Sequence, residues 1–163
     1  MRYGMISSPP PALISASAIS RKAKCAKHSE VLRYILDTNL CIRVLRDRPP
    51  NLRPRFNAEA QGLCISTVVL TELLHGAAKS APPVENRDAV ERFAARLEVL
   101  PFDADAAAHA GDIRATLELS GLPIGGYDVL IAGHARSRGL VVVTGKLREF
   151  SRVGGLRAED WLG

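Results

Sequence analysis

Short apolar runs alternate with segments of helical spacing along most of this chain, and this alternation is its most constraining feature. The apolar runs that read as strands lie at 32–36, 63–66, 98–100, 140–143 and 156–161. Strands joined through helices pair in parallel, and right-handed crossovers put the helices on both faces of the sheet. The sequence therefore predicts an α/β fold with a Rossmann-like parallel sheet covered by helices.

The expected helices are bounded by recognisable start and stop residues. Ser66 or Thr67 is a plausible N-cap, Pro82-Pro83 opens a helix, and Gly139 ends one. Helical segments are expected at 40–45, 52–60, 67–77, 83–97, 104–119 and 128–138.

The first thirty residues differ in character from the rest of the 163. They hold the run Ser7-Ser8-Pro9-Pro10-Pro11 and a lysine-rich patch without apolar periodicity, so we expect 1–30 to be a disordered extension and 31–163 to be the folded domain. A signal peptide is the alternative, but here the charged part follows the apolar part, the reverse of the required order. Val31 suggests a GTG start codon, with 1–30 translated from upstream sequence.

Composition excludes several classes of protein. No run of 18 apolar residues occurs, which predicts no membrane span. Three cysteines without metal-ligand or CxxC spacing fit a reducing, cytoplasmic setting better than a disulfide framework. Of 22 basic and 17 acidic residues, 17 and 16 fall in 31–163, a net of +1, so bulk charge does not argue for nucleic-acid binding by the folded part.

Four acidic residues fall at or after predicted strand ends, where parallel α/β sheets bind ligands. Asp37 follows the first strand, Glu72 lies in the helix after the second, Asp128 opens the helix before the fourth, and Glu149 comes shortly after the fourth. Carboxylates brought close together repel unless a proton or a cation neutralises them, so the cluster predicts a hard divalent metal, Mg²⁺ or Mn²⁺. Such a metal can activate water for phosphodiester hydrolysis.

Each acid also has a purely structural interpretation. Asp37 and Asp128, each taken alone, are both acceptable helix N-caps. Glu72 could face solvent on its helix, and Glu149 could be an ordinary surface residue beside Arg148. The four placements together favour the metal site.

The chain resembles PIN-domain ribonucleases of the VapC toxin family, from bacterial VapBC toxin–antitoxin pairs, over about 31–163. The resemblance rests on LDTN at 36–39, the segment 66–76 with TELLHG at 71–76, 123–125 with Asp128, IAGHAR at 131–136, REF at 148–150 and the ending at 155–161.

By that resemblance, Asp37 and Asp128 are the main metal ligands, Glu72 completes the acidic catalytic pocket and Glu149 is a fourth member. The resemblance implies an Mg²⁺-dependent endoribonuclease toxin that acts on RNA, with initiator tRNA as the first candidate substrate. It further implies a VapB antitoxin that blocks the site, operator DNA bound only through the antitoxin complex, and a homodimer.

One departure from the family pattern bears on activity. Relatives carry Thr-Asn-Asn after the fourth strand, whereas this chain has Thr144-Gly145-Lys146. Lys146 could replace a metal charge, contact the scissile phosphate or weaken metal binding. This keeps open an alternative function, a catalytically silent PIN-fold module that binds antitoxin or RNA without cleavage. A receiver-like phospho-acceptor domain shares the topology but has a different motif set.

Overall fold

The computed structural model describes residues 32–162, and the expected extension at 1–30 lies outside them. The strands are β1 (Tyr34–Leu36), β2 (Leu63–Ser66), β3 (Glu98–Leu100), β4 (Val141–Val143) and β5 (Arg157–Glu159). The helices are α1 (Thr38–Leu45), α2 (Leu52–Ala58), α3 (Thr67–Ala78), α4 (Pro83–Ala94), α5 (Ala104–Leu119), α6 (Gly126–Arg138) and α7 (Leu147–Phe150), with a 3₁₀ turn at Ala60–Gly62.

The described strands form one sheet in the order β3-β2-β1-β4-β5, and all four pairings are parallel. The predicted fold class is thus confirmed. β1 and β2 are buried at every position, which is typical of central parallel strands covered on both faces. Since β1 is the middle strand, its carboxyl end lies between those of β2 and β4.

Local sequence accounts for several of the helix boundaries. The Ser66 hydroxyl caps α3 by accepting a hydrogen bond from the Val68 N–H at 3.1 Å. α6 ends at Gly139, whose φ of 65° is the left-handed conformation that a helix C-terminus favours and glycine tolerates. Asp103 caps α5 through the Ala106 N–H at 3.0 Å.

The two longest described helices, α5 and α6, pack at very short range. A Cβ atom on Gly133 would lie 2.6 Å from the backbone N and Cα of Ala110, so the absence of a side chain permits this approach. Ile113 and Leu117 of α5 are buried, as are Val129 and Ile131 of α6.

A few predicted boundaries were wrong. α6 begins at Gly126, two residues before its predicted start at 128. The last strand covers only Arg157–Glu159, and the short helix α7 was not predicted. None of the helices within 32–162 is long and apolar enough to cross a membrane.

Candidate functional site

Asp37 lies at the carboxyl end of β1, in the centre of the sheet, and is only 1% exposed. Its N–H donates to the Val143 carbonyl at 3.0 Å, and its Oδ2 accepts from the Thr144 hydroxyl at 2.9 Å. Although Asp37 occupies the N-cap position of α1, its side chain makes no capping hydrogen bond. The capping interpretation of this residue is therefore wrong.

Burial is the largest influence on the Asp37 carboxyl and raises its pKa above the ordinary value. The Thr144 hydrogen bond opposes that increase, the negative charge of Asp128 adds to it, and the positive charge of Lys146 opposes it. Asp37, Asp128 and Lys146 therefore interact electrostatically at one place.

Asp128 lies in the first turn of α6, and its side chain is 8% exposed. Its two oxygens accept hydrogen bonds from the Lys146 ammonium, Oδ1 at 3.0 Å and Oδ2 at 2.9 Å. The N-cap position of α6 belongs to Gly125, so Asp128 is not the cap of this helix. A Cβ atom on Gly125 would lie 2.8 Å from Asp128 Oδ2, which shows how closely the backbone approaches this carboxylate.

Glu72 is half-buried on α3 and is held by a side chain from another helix. The Thr38 hydroxyl, at the start of α1, donates to Glu72 Oε2 at 2.5 Å. Burial raises the pKa of the Cys41 thiol, and the charges of Asp37 and Glu72 raise it further, so both carboxylates act on the same buried group. The solvent-facing interpretation of Glu72 is wrong.

Glu149 is the most peripheral of the four acids. It is half-buried on α7, and its charge raises the pKa of Lys146 less than the charge of Asp128 or Asp37 does. Burial lowers the pKa of Lys146, but the hydrogen bond and charge of Asp128, with the charges of Asp37 and Glu149, raise it overall. The structure thus brings Asp37 and Asp128 together, with Glu72 and Glu149 at the sides.

The donor set suits a hard divalent cation. Within 32–162 no three acidic, histidine or cysteine side chains are arranged to enclose a metal ion. Mg²⁺, however, is ordinarily bound by one or two carboxylates, with water and substrate phosphate completing the coordination. The Lys146 ammonium, in contact with both oxygens of Asp128, shows that a cation fits at this carboxylate. Asp37 and Asp128 therefore fit such an ion.

The sequence matches the PIN domain family over residues 34–156. It is 52% identical over 131 residues to the tRNA(fMet)-specific endonuclease VapC of Shigella flexneri and 53% identical over 131 residues to that of Salmonella typhimurium. Each alignment covers 80% of this chain and 99% of the relative.

The chain belongs to the VapC family of PIN-domain ribonucleases.

Solved structures of the family agree with this assignment. A crystal structure of DNA-bound VapBC from Salmonella typhimurium matches with a TM-score of 0.78 and 53% identity, over 80% of this chain and 99% of that one. A VapBC complex from Rickettsia felis, bound to a promoter DNA fragment, matches with a TM-score of 0.75 and 34% identity, over 80% and 99%. The family and enzyme class predicted from the sequence are confirmed. PIN-domain nucleases generally depend on a divalent metal ion.

Sequence reasoning missed two residues that orient the acids. Thr144 holds Asp37, and Thr38 holds Glu72. Their position was the one signal in the sequence. Thr38 directly follows Asp37, and Thr144 directly follows β4, at the sheet edge where the acids were expected.

Proposed function

We propose that this protein is an Mg²⁺-dependent endoribonuclease toxin that hydrolyses tRNA in the cytoplasm, with initiator tRNA as its substrate. The observation that carries the proposal is the juxtaposition of buried Asp37 and Asp128 in a chain half identical to two enzymes named for tRNA(fMet). Paired buried carboxylates repel each other, and the contact of the Lys146 ammonium with Asp128 supports a cation-binding role for the pair.

Each acid has a distinct role in the proposed reaction. Asp37 and Asp128 hold the metal ion, and Thr144 fixes the orientation of Asp37 by its hydrogen bond. Glu72, fixed by Thr38, orients the attacking water, and Glu149 adds negative charge at the margin. A divalent ion bound there supplies Lewis-acid activation of water and neutralises charge at the scissile phosphate.

The proposed partners follow from the complexes that the relatives form. The Salmonella and Rickettsia structures are VapBC complexes bound to DNA. We expect a VapB-type antitoxin to bind this toxin, block its site and carry the pair onto operator DNA, and we expect the toxin itself to be a homodimer.

The test is induction of the full chain beside Asp37→Asn, with growth followed and total RNA mapped for new 5′ ends. The proposal expects growth arrest and one discrete cut in initiator tRNA, both absent in the variant. A discrete cut in a different RNA would show that initiator tRNA is not the substrate. Equal cleavage by the Asn variant would overturn the assigned role of Asp37.

A silent binding module is the second candidate, and the Lys146–Asp128 contact is the observation that favours it. If the ammonium permanently filled the cation position, the fold would still bind antitoxin or RNA. A folded wild-type protein that binds RNA but causes neither arrest nor cleavage would establish this alternative.

A further inference from the structure

The Lys146–Asp128 ion pair differs from the other ion pairs within 32–162. Its carboxylate is 8% exposed, whereas the next most buried acidic partner, Asp103, is 35% exposed. Exposed pairs such as Arg114–Glu118 contribute little to stability because water screens them. A buried carboxylate, by contrast, depends on a counter-charge.

The geometry of the contact is that of a cation on a carboxylate. The single nitrogen Nζ lies at nearly equal distances from the two Asp128 oxygens, 3.0 and 2.9 Å. Lysine presents a compact point charge, unlike the planar fork of arginine, and so resembles a small metal ion in this position.

The backbone of Lys146 is fixed beside the second acid. Its N–H donates to the Thr144 hydroxyl at 2.9 Å, and the same hydroxyl donates to Asp37. Lys146 is thus anchored next to one carboxylate by its main chain and contacts the other with its side chain. The side chain is 34% exposed, and its four-carbon stem leaves the ammonium a route toward solvent.

We propose that Lys146 is a tethered cation that competes with the divalent metal ion for Asp128, so that metal binding requires the ammonium to leave the carboxylate. The inference rests on the proposed function, since it assumes that Asp128 is a metal ligand. It makes Lys146 a residue that sets metal affinity.

Calorimetric titration of the full chain with MnCl₂, without RNA, tests this competition. Lys146→Gln is expected to bind the metal about tenfold more tightly than wild type, equivalent to about 1.4 kcal/mol. Lys146→Arg keeps a positive charge that can still pair with both Asp128 oxygens, although through a planar guanidinium, and is expected to stay within about threefold of wild-type affinity. Lys79→Gln, at the exposed end of α3, is the matched control for the lost charge and is expected to match wild type.

Two further variants locate the effect at Asp128. The double variant Lys146→Gln/Asp128→Asn is expected to bind Mn²⁺ no more tightly than Asp128→Asn alone, because the carboxylate for which Lys146 and the metal compete has been removed. An equal gain in both backgrounds would overturn the proposal.

The failures of the two proposals are distinguishable. Equal or weaker binding by Lys146→Gln, with measurable binding by wild type, overturns the competition and leaves the proposed function standing. Absence of metal binding by every variant overturns both. If Lys146→Gln is unfolded without metal, the proposal expects MnCl₂ to restore its circular dichroism, and failure to restore it counts as refutation.

Discussion

The Thr144 hydroxyl joins the ends of β4 and β1 by donating a 2.9 Å hydrogen bond to Asp37, which lies 107 positions away in sequence. The same oxygen accepts the Lys146 N–H. One small side chain therefore orients both a buried carboxylate and the backbone that carries its neighbouring cation.

Thr144→Val is expected to lower the free energy of unfolding by about 1–3 kcal/mol, because it leaves the buried Asp37 carboxylate without its hydroxyl partner. Thr144→Ser keeps the hydroxyl and is expected to retain most of the stability. Urea unfolding of the three proteins measures the difference. Equal stability of the Val variant and wild type would show that the hydrogen bond contributes nothing.

Asp37→Asn is expected to be more stable than wild type at pH 7 in metal-free buffer. Because the folded-state pKa of Asp37 is raised, the native state binds more protons than the unfolded state between 3.8 and the raised pKa. The stability of wild type therefore falls as pH rises through the window between 3.8 and the raised pKa, and the ionised carboxyl remains destabilising above it.

The difference between the two proteins is expected to shrink as pH falls toward 3.8 and to be smallest well below it, where Asp37 is protonated in both states. Thermal unfolding in EDTA at a series of pH values provides the comparison. An Asn variant that is less stable than wild type at pH 7 would contradict the assigned cause.

Gly125→Ala is expected to lower RNA cleavage at least about tenfold with little loss of stability, since the added Cβ lies 2.8 Å from Asp128 Oδ2 and displaces that oxygen. The φ of −56° at Gly125 suits alanine, so the backbone itself is not strained. Gly126→Ala is the control, because its Cβ would have no atom within 4 Å. Cleavage assays on a defined RNA should separate the two, and full activity of Gly125→Ala would rule out this role.

Gly133→Ala is expected to destabilise the protein by about 1–3 kcal/mol or more, because its Cβ would force α5 and α6 apart at Ala110. Gly76→Ala, in a helix with open space around it, is expected to stabilise by about 0.5–1 kcal/mol. In chemical denaturation, the unfolding midpoint is expected to fall relative to wild type for Gly133→Ala and to rise for Gly76→Ala. A neutral Gly133→Ala would show that the helix pair adjusts readily.

Much of the fold could be predicted because its signals are local. β2, β3 and α5 occur at their predicted bounds, since apolar runs and N-caps such as Ser66 and Asp103 act within a few residues. α7 has four residues and little periodicity, so nothing in the sequence could distinguish it from a loop.

The sequence predicted acids at one edge of the sheet, but it did not predict their contacts. That Asp37 accepts from Thr144, and Glu72 from Thr38, depends on how the strand ends and the helices meet in space. A lysine at position 146 could be seen in the sequence. Its contact with Asp128 could not, because that contact depends on how close α6 lies to the segment after β4.

The order of strands in the sheet has a consequence for synthesis on the ribosome. β1 obtains one of its two neighbours, β4, only after about seven-eighths of the 163 residues have been made. Asp128 precedes β4 in the chain, and Thr144 and Lys146 follow it. A growing chain that already displays Asp37 thus has no complete acidic centre. The complete set of acids and the cation beside them can therefore come together only near the end of translation.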